Sequence, residues 1–519
     1  MIHRVFAQFK LPFAAAVVVS LWLWPIGNAT AADALSFDAA LGRIRGSDLQ
    51  KTVNVLASDT FEGRESGSRG GIAAATFIIE QLRKLPVRPG GDDGSYAQHF
   101  GNGYRNILVV LPGSDAGKKQ EYLLVGAHYD HVGYGNATNS LGPTGYIHNG
   151  ADDNASGTSG LLELIEAFTS LPAPPSRSIV FVFWDAEERG LLGSEHWVAA
   201  PTVPLSQLRM VFNMDMIGRL RDQRLEVSGV RTAAGLRRLL CEQNRDMNLT
   251  LDFNWTTIRE SDHYPFYERR IPFLMLHSGK HEDYHRPTDD VDKINREGMA
   301  SIIRLLFRTV YTAAEMPELP RFRSESMQET QFHHQQADRP LAPEPTRLGV
   351  SWDAKLAIKG EIRLDRVDPG SPAAAAGLKV GDRIVKFGDY RTDGADDFRS
   401  IVLAAPSPVA IVVEREGSES PVEATVRLNG RPRSIGMSWH YDPAEPTSVI
   451  VTRVDPGSPA DHAGLRPADR IYSVDGKPFA SSREFSALIA SHDAFSLTTE
   501  RAGRVREVHI ALLKPPSEE

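Results

Sequence analysis

The N-terminal half of this 519-residue chain contains short apolar runs that alternate with helix-like patterns. Short apolar runs bounded by turn-forming residues are typical of buried strands. We predict strands over residues 106–111, 122–127, 178–184, 210–214 and 271–276, and helices over residues 44–56, 71–85, 157–168 and 296–311. Strands that alternate with helices favour a sheet covered by helices on both faces. The chain is therefore predicted to begin with an α/β domain.

Polar residues with metal-binding side chains follow these predicted strands. They are His128 after the second strand, Glu187 and Glu188 after the third, Asp215 after the fourth and His285 beyond the fifth. Ligands usually bind at the carboxyl ends of strands in an α/β sheet, so we expect these side chains to converge. Imidazole and carboxylate groups are common zinc ligands. The pattern therefore predicts a metal centre at this edge of the sheet.

The segment Asn149–Gly157 adds two adjacent carboxylates, Asp152 and Asp153, set among small and turn-forming residues. Taken alone, an aspartate pair before a helix-like pattern is most simply interpreted as a helix cap. Glycines on both sides also allow a tight loop that approaches an ion closely. Together with the ligands at the strand ends, the segment is better interpreted as part of the metal centre.

Five motifs resemble the signature of peptidase family M28, whose members are zinc peptidases and mostly aminopeptidases. They are His128-Tyr-Asp130, Gly150–Gly157, Glu187-Glu188, Asn213-Met-Asp215 and His285. The resemblance covers about residues 38 to 315 and preserves the order of the motifs. It implies an α/β/α sandwich with a mixed, largely parallel sheet and a site for two Zn²⁺ ions.

The resemblance also implies a role for each residue of the site. Asp153 would bridge the two zinc ions. Glu188 and His285 would complete one zinc site, and His128 and Asp215 would complete the other.

Three neighbouring carboxylates receive other roles from the same resemblance. Glu187 would be the general base, Asp130 would accept a hydrogen bond from the imidazole of His128, and Asp152 would not bind metal. Paired zinc ions about 3.5 to 4 Å apart can activate water and polarise a scissile carbonyl. Glu187 could then take a proton from the water and pass it to the leaving amine.

Substrate-binding residues are expected near Ser261-Asp262-His263, which also resembles a family motif. Glu260, Asp262 and Tyr264 are candidates for binding the substrate or its amino group, and we predict that Asp262 and Tyr264 contact the substrate. A serine-protease triad is the competing interpretation, but a triad is recognised by its geometry in space and not by adjacency in sequence.

Three further residues on glycine-rich loops allow two interpretations. Arg64 could line the substrate cleft or be solvated. His131 and His148 could shape the cleft or lie on the surface.

The C-terminal half contains an internal repeat. Gly349-Val-Ser-Trp352 recurs 87 residues later as Gly436-Met-Ser-Trp439, and Arg366–Ala373 recurs at the same offset as Arg453–Ala460. The repeated Gly-Ser-Pro-Ala, Ala-Gly-Leu and Asp-Arg-Ile pieces resemble PDZ domains of the type attached to exported bacterial proteases. We therefore predict two small, mostly β PDZ-like domains.

PDZ domains bind a peptide end by strand addition and hold its carboxylate with backbone amides. The corresponding loops would be Leu348-Gly349-Val350 and Ile435-Gly436-Met437. The other interpretation is that the repeats only pack against the peptidase domain or mediate assembly.

The N-terminus has the features of a secretory signal. Basic residues precede the apolar run Leu11–Ile26, and Ala29-Thr30-Ala31 provides small residues at a cleavage site. An uncleaved membrane anchor is the alternative. We predict a signal over residues 1–31, a peptidase domain over 32–317, a linker over 318–344, and PDZ-like domains over 345–431 and 432–515.

Composition narrows the classes of partner. A net charge of -8 and a pI near 6.1 do not favour nucleic-acid binding, which needs a basic surface. The single cysteine, Cys241, excludes an intrachain disulfide framework. After the signal, no stretch is long and apolar enough to span a bilayer, so we expect an exported protein in the periplasm or outside the cell.

The sequence therefore predicts an exported di-zinc aminopeptidase whose partners are peptide or protein substrates and C-terminal peptide ligands of the PDZ-like domains. A carboxypeptidase or another amide hydrolase of the same family, including a single-zinc glutaminyl cyclase, is the nearer alternative. A non-catalytic PDZ adaptor is the more distant one.

Overall fold

The computed structural model describes residues 31–392 and 398–512. The signal predicted over residues 1–31 lies outside this part of the chain except for Ala31. Within the described residues, no helix combines the length and apolarity that a bilayer span requires.

The large domain contains the strands β1 to β9 and the helices α1 to α8. The strands are β1 Arg88–Pro89, β2 Ala97–Phe100, β3 Tyr104–Leu111, β4 Tyr122–His128, β5 Ser178–Trp184, β6 Leu208–Met214, β7 Arg224–Ser228, β8 Thr250–Asn254 and β9 Phe273–His277. The helices are α1 Ala31–Leu41, α2 Gly46–Leu56, α3 Arg69–Leu82, α4 Gly157–Thr169, α5 Leu192–Ala199, α6 Leu236–Gln243, α7 Tyr264–Glu268 and α8 Arg296–Glu315.

The nine strands of the large domain form one sheet in the order β1-β3-β5-β4-β6-β9-β7-β8, with β2 paired to β3, as far as the described residues extend. The central strands β5, β4, β6 and β9 are parallel, whereas β3 is antiparallel to β5, and β7 is antiparallel to β9. Parallel strands require crossover connections, which place helices on the faces of the sheet.

Alternate residues of the central strands pack into two separate cores. One core contains Val125 and Phe181 and packs against α2, α4 and α8. The other core contains Leu124, Val180 and Val182 and includes residues from α5 and α7. The predicted α/β/α sandwich with a mixed, largely parallel sheet is thus confirmed.

The first and second repeats follow as two antiparallel sheets. The first repeat comprises β10 Val350–Trp352, α10 Ala354–Ala357, β11 Ile362–Val367, α11 Pro372–Ala375, β12 Arg383–Phe387, β13 Tyr390–Arg391, α12 Phe398–Ala404, β14 Val409–Glu414 and β15 Val422–Val426. The second repeat comprises β16 Met437–Tyr441, β17 Val449–Val454, α13 Pro459–His462, β18 Arg470–Val474, α14 Ser482–Ala490, β19 Ala494–Arg501 and β20 Arg504–Ala511.

The segment predicted as a linker is ordered and contains α9 Gln331–Ala337, which we name the linker helix. The segment is rich in Pro, Arg, Gln and His, a composition that is typical of a solvated linker. Instead, the helix contacts both the large domain and the second repeat. The side-chain oxygen of Gln331 accepts a hydrogen bond from the backbone N–H of Trp255, and the backbone carbonyl of Ala337 lies 2.9 Å from the imidazole of His440.

Candidate metal centre

The predicted ligands meet because three of them lie at the carboxyl ends of adjacent parallel strands. His128 is the last residue of β4, Asp215 follows β6, and Glu187 and Glu188 lie in the turn after β5. Strands β5, β4 and β6 are neighbours in the sheet, so their ends bring these side chains together. His285 reaches the same place from the loop after β9.

The carboxylate of Asp153 lies between the two histidines. Its Oδ1 atom is 3.4 Å from Nε2 of His128, and its Oδ2 atom is 3.1 Å from Nε2 of His285. His128 Nε2 is also 3.3 Å from Asp215 Oδ1, and His285 Nε2 is 3.1 Å from Glu188 Oε2. Each oxygen of Asp153 thus faces a different imidazole and carboxylate pair.

Asp130 shapes the turn that carries the two glutamates. Its carboxylate accepts hydrogen bonds from the backbone N–H groups of Glu187 and Glu188 at 3.1 and 3.3 Å, and from the hydroxyl of Ser66 at 2.8 Å. The expected contact between this carboxylate and the imidazole of His128 is present but longer than these bonds. Nδ1 of His128 is 3.2 Å from the backbone carbonyl of Asp130 but 3.6 Å from its carboxylate.

Three residues at the site have left-handed backbone conformations although they are not glycine. They are Ala186, Met216 and His285, with φ of 57°, 53° and 51°. Such conformations carry strain and are common at functional sites. Their carbonyls are fixed by backbone hydrogen bonds from Leu192, Ser278 and Leu141. These bonds hold the residues beside Glu187 and Asp215, and His285 itself, in position.

The side chain of Asp152 contacts Gly218 and His281 and supports the metal-binding loop from the side away from the proposed metal centre. Its Oδ1 accepts a hydrogen bond from the N–H of Gly218 at 2.5 Å, and its Oδ2 is 3.1 Å from Nε2 of His281. The buried carboxylate of Asp289 accepts hydrogen bonds from the N–H groups of both Asp152 and Asp153. The sequence did not identify Asp289, because its role depends on a contact across more than 130 residues.

Arg64 neither lines the cleft nor is solvated. Its side chain is fully buried and donates hydrogen bonds to the carbonyls of Leu56, Tyr129, Asn149 and Gly150. Burial lowers the pKa of its guanidinium to about 10 despite nearby carboxylates. Arg64 therefore ties the metal-binding loop to the strand that ends in His128.

His131 and His148 are also buried, contrary to a surface location. Nδ1 of His131 is 2.9 Å from Glu188 Oε1, so His131 and His285 contact opposite oxygens of that carboxylate. His148 bonds through its two ring nitrogens to the hydroxyl of Ser140 and the carbonyl of Tyr146. Of the two, His131 directly contacts a predicted ligand.

The electrostatics of the centre reflect concentrated negative charge. Burial, opposed by His128 and reinforced by nearby carboxylates, raises the pKa of Glu187 well above its ordinary value. The pKa of His128 is also raised, because the charges of Asp215 and Glu187 outweigh burial. Buried carboxylates that repel one another need compensating cations.

The donor set fits zinc. Two sets of three side chains each bring their donor atoms within 4.8 Å of one another. One set is His128, Asp153 and Glu188, and the other is His128, Glu187 and Asp215. Nitrogen and carboxylate oxygen donors at these positions match the ligands of catalytic zinc sites. The clustered carboxylates and imidazoles are therefore suited to zinc ions.

A cleft opens onto this centre. Besides the predicted ligands and Glu187, it is lined by Met216, Glu260, Met275, His277, Lys280 and Tyr284. The tyrosine ring stacks on the imidazole of His285, with centroids 3.9 Å apart. Except for Glu260, sequence patterns did not single out these wall residues.

The predicted substrate-binding residues Asp262 and Tyr264 are not among the residues that line this cleft. Asp262 is buried behind it and accepts a hydrogen bond from Ser194 at 2.6 Å. Tyr264 packs against a hydrophobic core. Glu260, four residues before Tyr264, lines the cleft instead, because the following residues turn inward towards the core.

Parts of the chain are similar in sequence to known proteins. Residues 106–310 match the sequence profile of peptidase family M28, and residues 363–415 and 450–501 match that of the PDZ domain. Aminopeptidase YwaD of Bacillus subtilis is 30% identical over 214 residues, which are 39% of this chain and 44% of that protein.

Leucine aminopeptidase 1 of Sclerotinia sclerotiorum is 28% identical over 181 residues, which are 33% of this chain and 44% of that protein. The chain thus spans less than half the length of these two curated relatives. The crystal structure of the LapA aminopeptidase of Legionella pneumophila superposes with a TM-score of 0.45 at 20% identity, covering 55% of this chain and 76% of that one.

The profile matches agree with the motif order, the sandwich and the paired antiparallel sheets. The chain therefore carries a domain of peptidase family M28, a family of zinc peptidases, followed by two PDZ domains.

Proposed function

We propose that the protein is an exported aminopeptidase that uses two zinc ions to remove N-terminal residues from peptides. The observation that carries this proposal is the position of Asp153, whose two oxygens face separate imidazole and carboxylate pairs. A carboxylate in that position can bridge two cations. The aminopeptidases among its relatives support the choice of substrate.

The proposed ligands are Asp153, Glu188 and His285 for one ion and Asp153, His128 and Asp215 for the other. When bound, such ions would polarise the scissile carbonyl and favour loss of a proton from the attacking water. The other chemical steps belong to side chains of this chain.

Glu187 is the proposed general base. Its carboxylate lines the cleft beside the proposed ligands, which is where a group that exchanges a proton with the attacking water must lie. Asp130 holds the backbone of Glu187 and Glu188 through two hydrogen bonds, so it acts as a positioning residue. Glu187 would take a proton from water and deliver it to the departing amine.

The charge of the cleft favours a substrate with a free amino terminus. Glu260 lines the cleft beside the proposed ligands, and an α-ammonium group near it would be attracted to its carboxylate. The exposed Lys280 contributes the opposite charge at the same cleft. In a carboxypeptidase, a cation such as Lys280 would bind the C-terminal carboxylate of the substrate. Carboxypeptidase activity is therefore the second candidate function.

The test is to replace Glu187 with glutamine and measure hydrolysis of aminoacyl anilides together with bound zinc. We expect the rate to fall by about 10²- to 10⁴-fold, the usual contribution of a general base, while zinc remains bound. Glu268→Gln, at an exposed glutamate in the large domain, is the matched control and should retain full activity. Near-normal turnover by Glu187→Gln would exclude the proposed mechanism.

Peptides blocked at one end distinguish the two candidates. An aminopeptidase will cleave a peptide with an amidated C-terminus but not one with an acetylated N-terminus, and a carboxypeptidase will show the reverse preference. A wild-type protein that binds no zinc and cleaves neither peptide would favour the non-catalytic PDZ adaptor.

We further propose that the PDZ domains bind peptide ends through Leu348-Gly349-Val350 and Ile435-Gly436-Met437. The edge strands β10 and β16 begin within these segments and each pairs with only one neighbour among the described strands. An open strand edge of this kind can accept an added peptide strand. Binding of labelled peptides with free and amidated C-termini tests this assignment.

A further inference from the structure

The second repeat is docked onto the large domain through buried charged pairs. Arg231 donates to both carboxylate oxygens of Asp442 at 2.7 and 2.6 Å. Arg237 binds Glu500 through two hydrogen bonds of 2.9 and 3.1 Å, and these two side chains are 5% and 0% exposed. Charged groups buried to this extent are stable only when paired. The two units therefore meet in a defined orientation.

The turn between β19 and β20 also contacts β8, the edge strand of the large sheet. The N–H of Leu251 donates to the carbonyl of Ala502 at 2.9 Å. Asn244 donates from its side chain to the carbonyl of Gly503 at 2.9 Å. A Cβ atom at Gly503 would lie 2.3 Å from Leu251, so this close approach requires glycine. The end of the second repeat thus fixes the strand that leads into residue 255.

Trp255, the residue after β8, is clamped from both sides. The guanidinium of Arg231 lies 3.7 Å from the centre of its ring, and the imidazole of His334 stacks on the ring at 4.7 Å with an angle of 11°. Gln331 of the linker helix accepts a hydrogen bond from the N–H of Trp255 and donates its own N–H to the hydroxyl of Thr256.

Residues 255–261, which we name the brace segment, connect this clamp to the cleft. Glu260 lines the cleft, and Arg259 donates to the carbonyl of Gly190 at 3.0 Å, in the turn that begins with Glu187. Ser261 accepts a hydrogen bond from Asn213 at 2.8 Å, two residues before Asp215. The brace segment therefore contacts both the turn that carries Glu187 and the strand β6, which is followed by the predicted ligand Asp215.

We propose that the linker helix and the second repeat hold the brace segment in place, and that His334 is a positioning residue for substrate binding at Glu260. This inference rests on the proposed aminopeptidase function. Loss of the stacking contact would leave the metal ligands intact but allow Glu260 to move. The expected consequence is weaker substrate binding and an almost unchanged rate of the chemical step.

The test compares His334→Ala with Phe332→Ala in the full-length protein. Phe332 lies on the same helix but is 62% exposed, so its truncation removes a side chain of the helix without affecting the clamp. We expect His334→Ala to raise KM for an aminoacyl anilide by about 3- to 10-fold, as loss of one ring contact implies. Its kcat should stay within about twofold, and Phe332→Ala should match the wild type.

A double-mutant cycle links the clamp to the cleft. If His334 acts through Glu260, the two substitutions will not act independently. The fold increase in KM of the double variant His334→Ala, Glu260→Gln will then be smaller than the product of the fold increases of the two single variants. Multiplicative effects, or a fall in kcat at constant KM, would overturn the proposal.

Hydrogen exchange provides a readout that does not require catalysis. We expect faster exchange across residues 255–261 in His334→Ala but not in Phe332→Ala, because opening of the clamp exposes backbone groups. An unchanged exchange rate across residues 255–261 in His334→Ala would overturn the proposal that His334 holds the brace segment in place. If the wild type fails to cleave anilides while exchange still increases, the brace is supported and the proposed function alone is wrong.

Discussion

The two repeats have the same fold but different surroundings. Each contains the same internal ion pair, formed by Arg415 and Asp382 in the first repeat and by Arg501 and Asp469 in the second. Their sheets also have the same register, because Arg383 pairs with Glu414 as Arg470 pairs with Glu500. The interior of the domain is therefore duplicated along with its sequence.

The difference lies on one surface. The side chain of Glu414 is 51% exposed and pairs with Arg383 of its own repeat, whereas Glu500 is fully buried and pairs with Arg237 of the large domain. Ile358 is 80% exposed, and its counterpart 87 residues later is the buried Glu445. A few side chains thus determine that the second repeat becomes part of the peptidase unit.

The largest difference between the repeats is expected when their two equivalent glutamates are removed separately. Glu500→Ala leaves the buried guanidinium of Arg237 without its partner and should lower the free energy of unfolding by about 3 to 5 kcal/mol. Glu414→Ala removes an exposed pair and should cost less than about 1 kcal/mol. Urea titration measures both, and equal losses would show that the docked interface contributes no special stability.

The second prediction distinguishes the two repeats by how the free energy of unfolding depends on pH. Burial, together with the charge of Asp442, raises the pKa of Glu445 to about 8 from 4.5, and one of its carboxylate oxygens has no hydrogen-bond partner. The folded state therefore binds a proton that the unfolded state releases between these values. This contribution to stability is fully present below the unfolded pKa and is lost as pH rises through the folded pKa.

Glu445→Gln should remove that dependence. Between pH 5 and about 8.5, the wild type should lose about 2 to 4 kcal/mol of unfolding free energy relative to Glu445→Gln. Ile358→Gln in the first repeat is the matched control and should leave the pH profile unchanged, because it lies outside the docked surface. Parallel profiles for the wild type and Glu445→Gln would contradict the assigned cause.

The smallest difference is expected where the repeats are alike. Arg415→Ala and Arg501→Ala each remove the nearest arginine from a buried aspartate, although Asp469 keeps Arg506 at 3.4 Å, and each should cost about 2 kcal/mol. The measured losses should agree, since Asp382 and Asp469 are 1% and 0% exposed. A much larger loss for Arg501→Ala would show that docking also strengthens the interior of the second repeat.

Much of the candidate site followed from sequence because parallel strands impose its geometry. Once β4, β5 and β6 are neighbours, residues that follow them meet at one edge of the sheet, as His128 and Asp215 do. The predicted central strands are all present. The strands β7 and β8 were missed because they are short and alternate polar with apolar residues, a weak signal compared with a continuous apolar run.

The remaining features depend on contacts between distant parts of the chain. Arg64 looked like a loop residue because nothing nearby in sequence indicates the carbonyls that it binds. His334 looked like part of a solvated linker because its partner, Trp255, lies 79 positions earlier. Residue types alone do not reveal such partners, so the predicted roles of individual side chains were less complete than the fold.

The contact between Leu251 and Ala502 also affects how the chain behaves in solution. An edge strand with free N–H and C=O groups is a template for pairing with other molecules, and native proteins commonly cover such edges. In this protein, the turn of the second repeat shields part of β8. A chain that loses its C-terminal segment would thus expose that edge, and its first defect would be self-association.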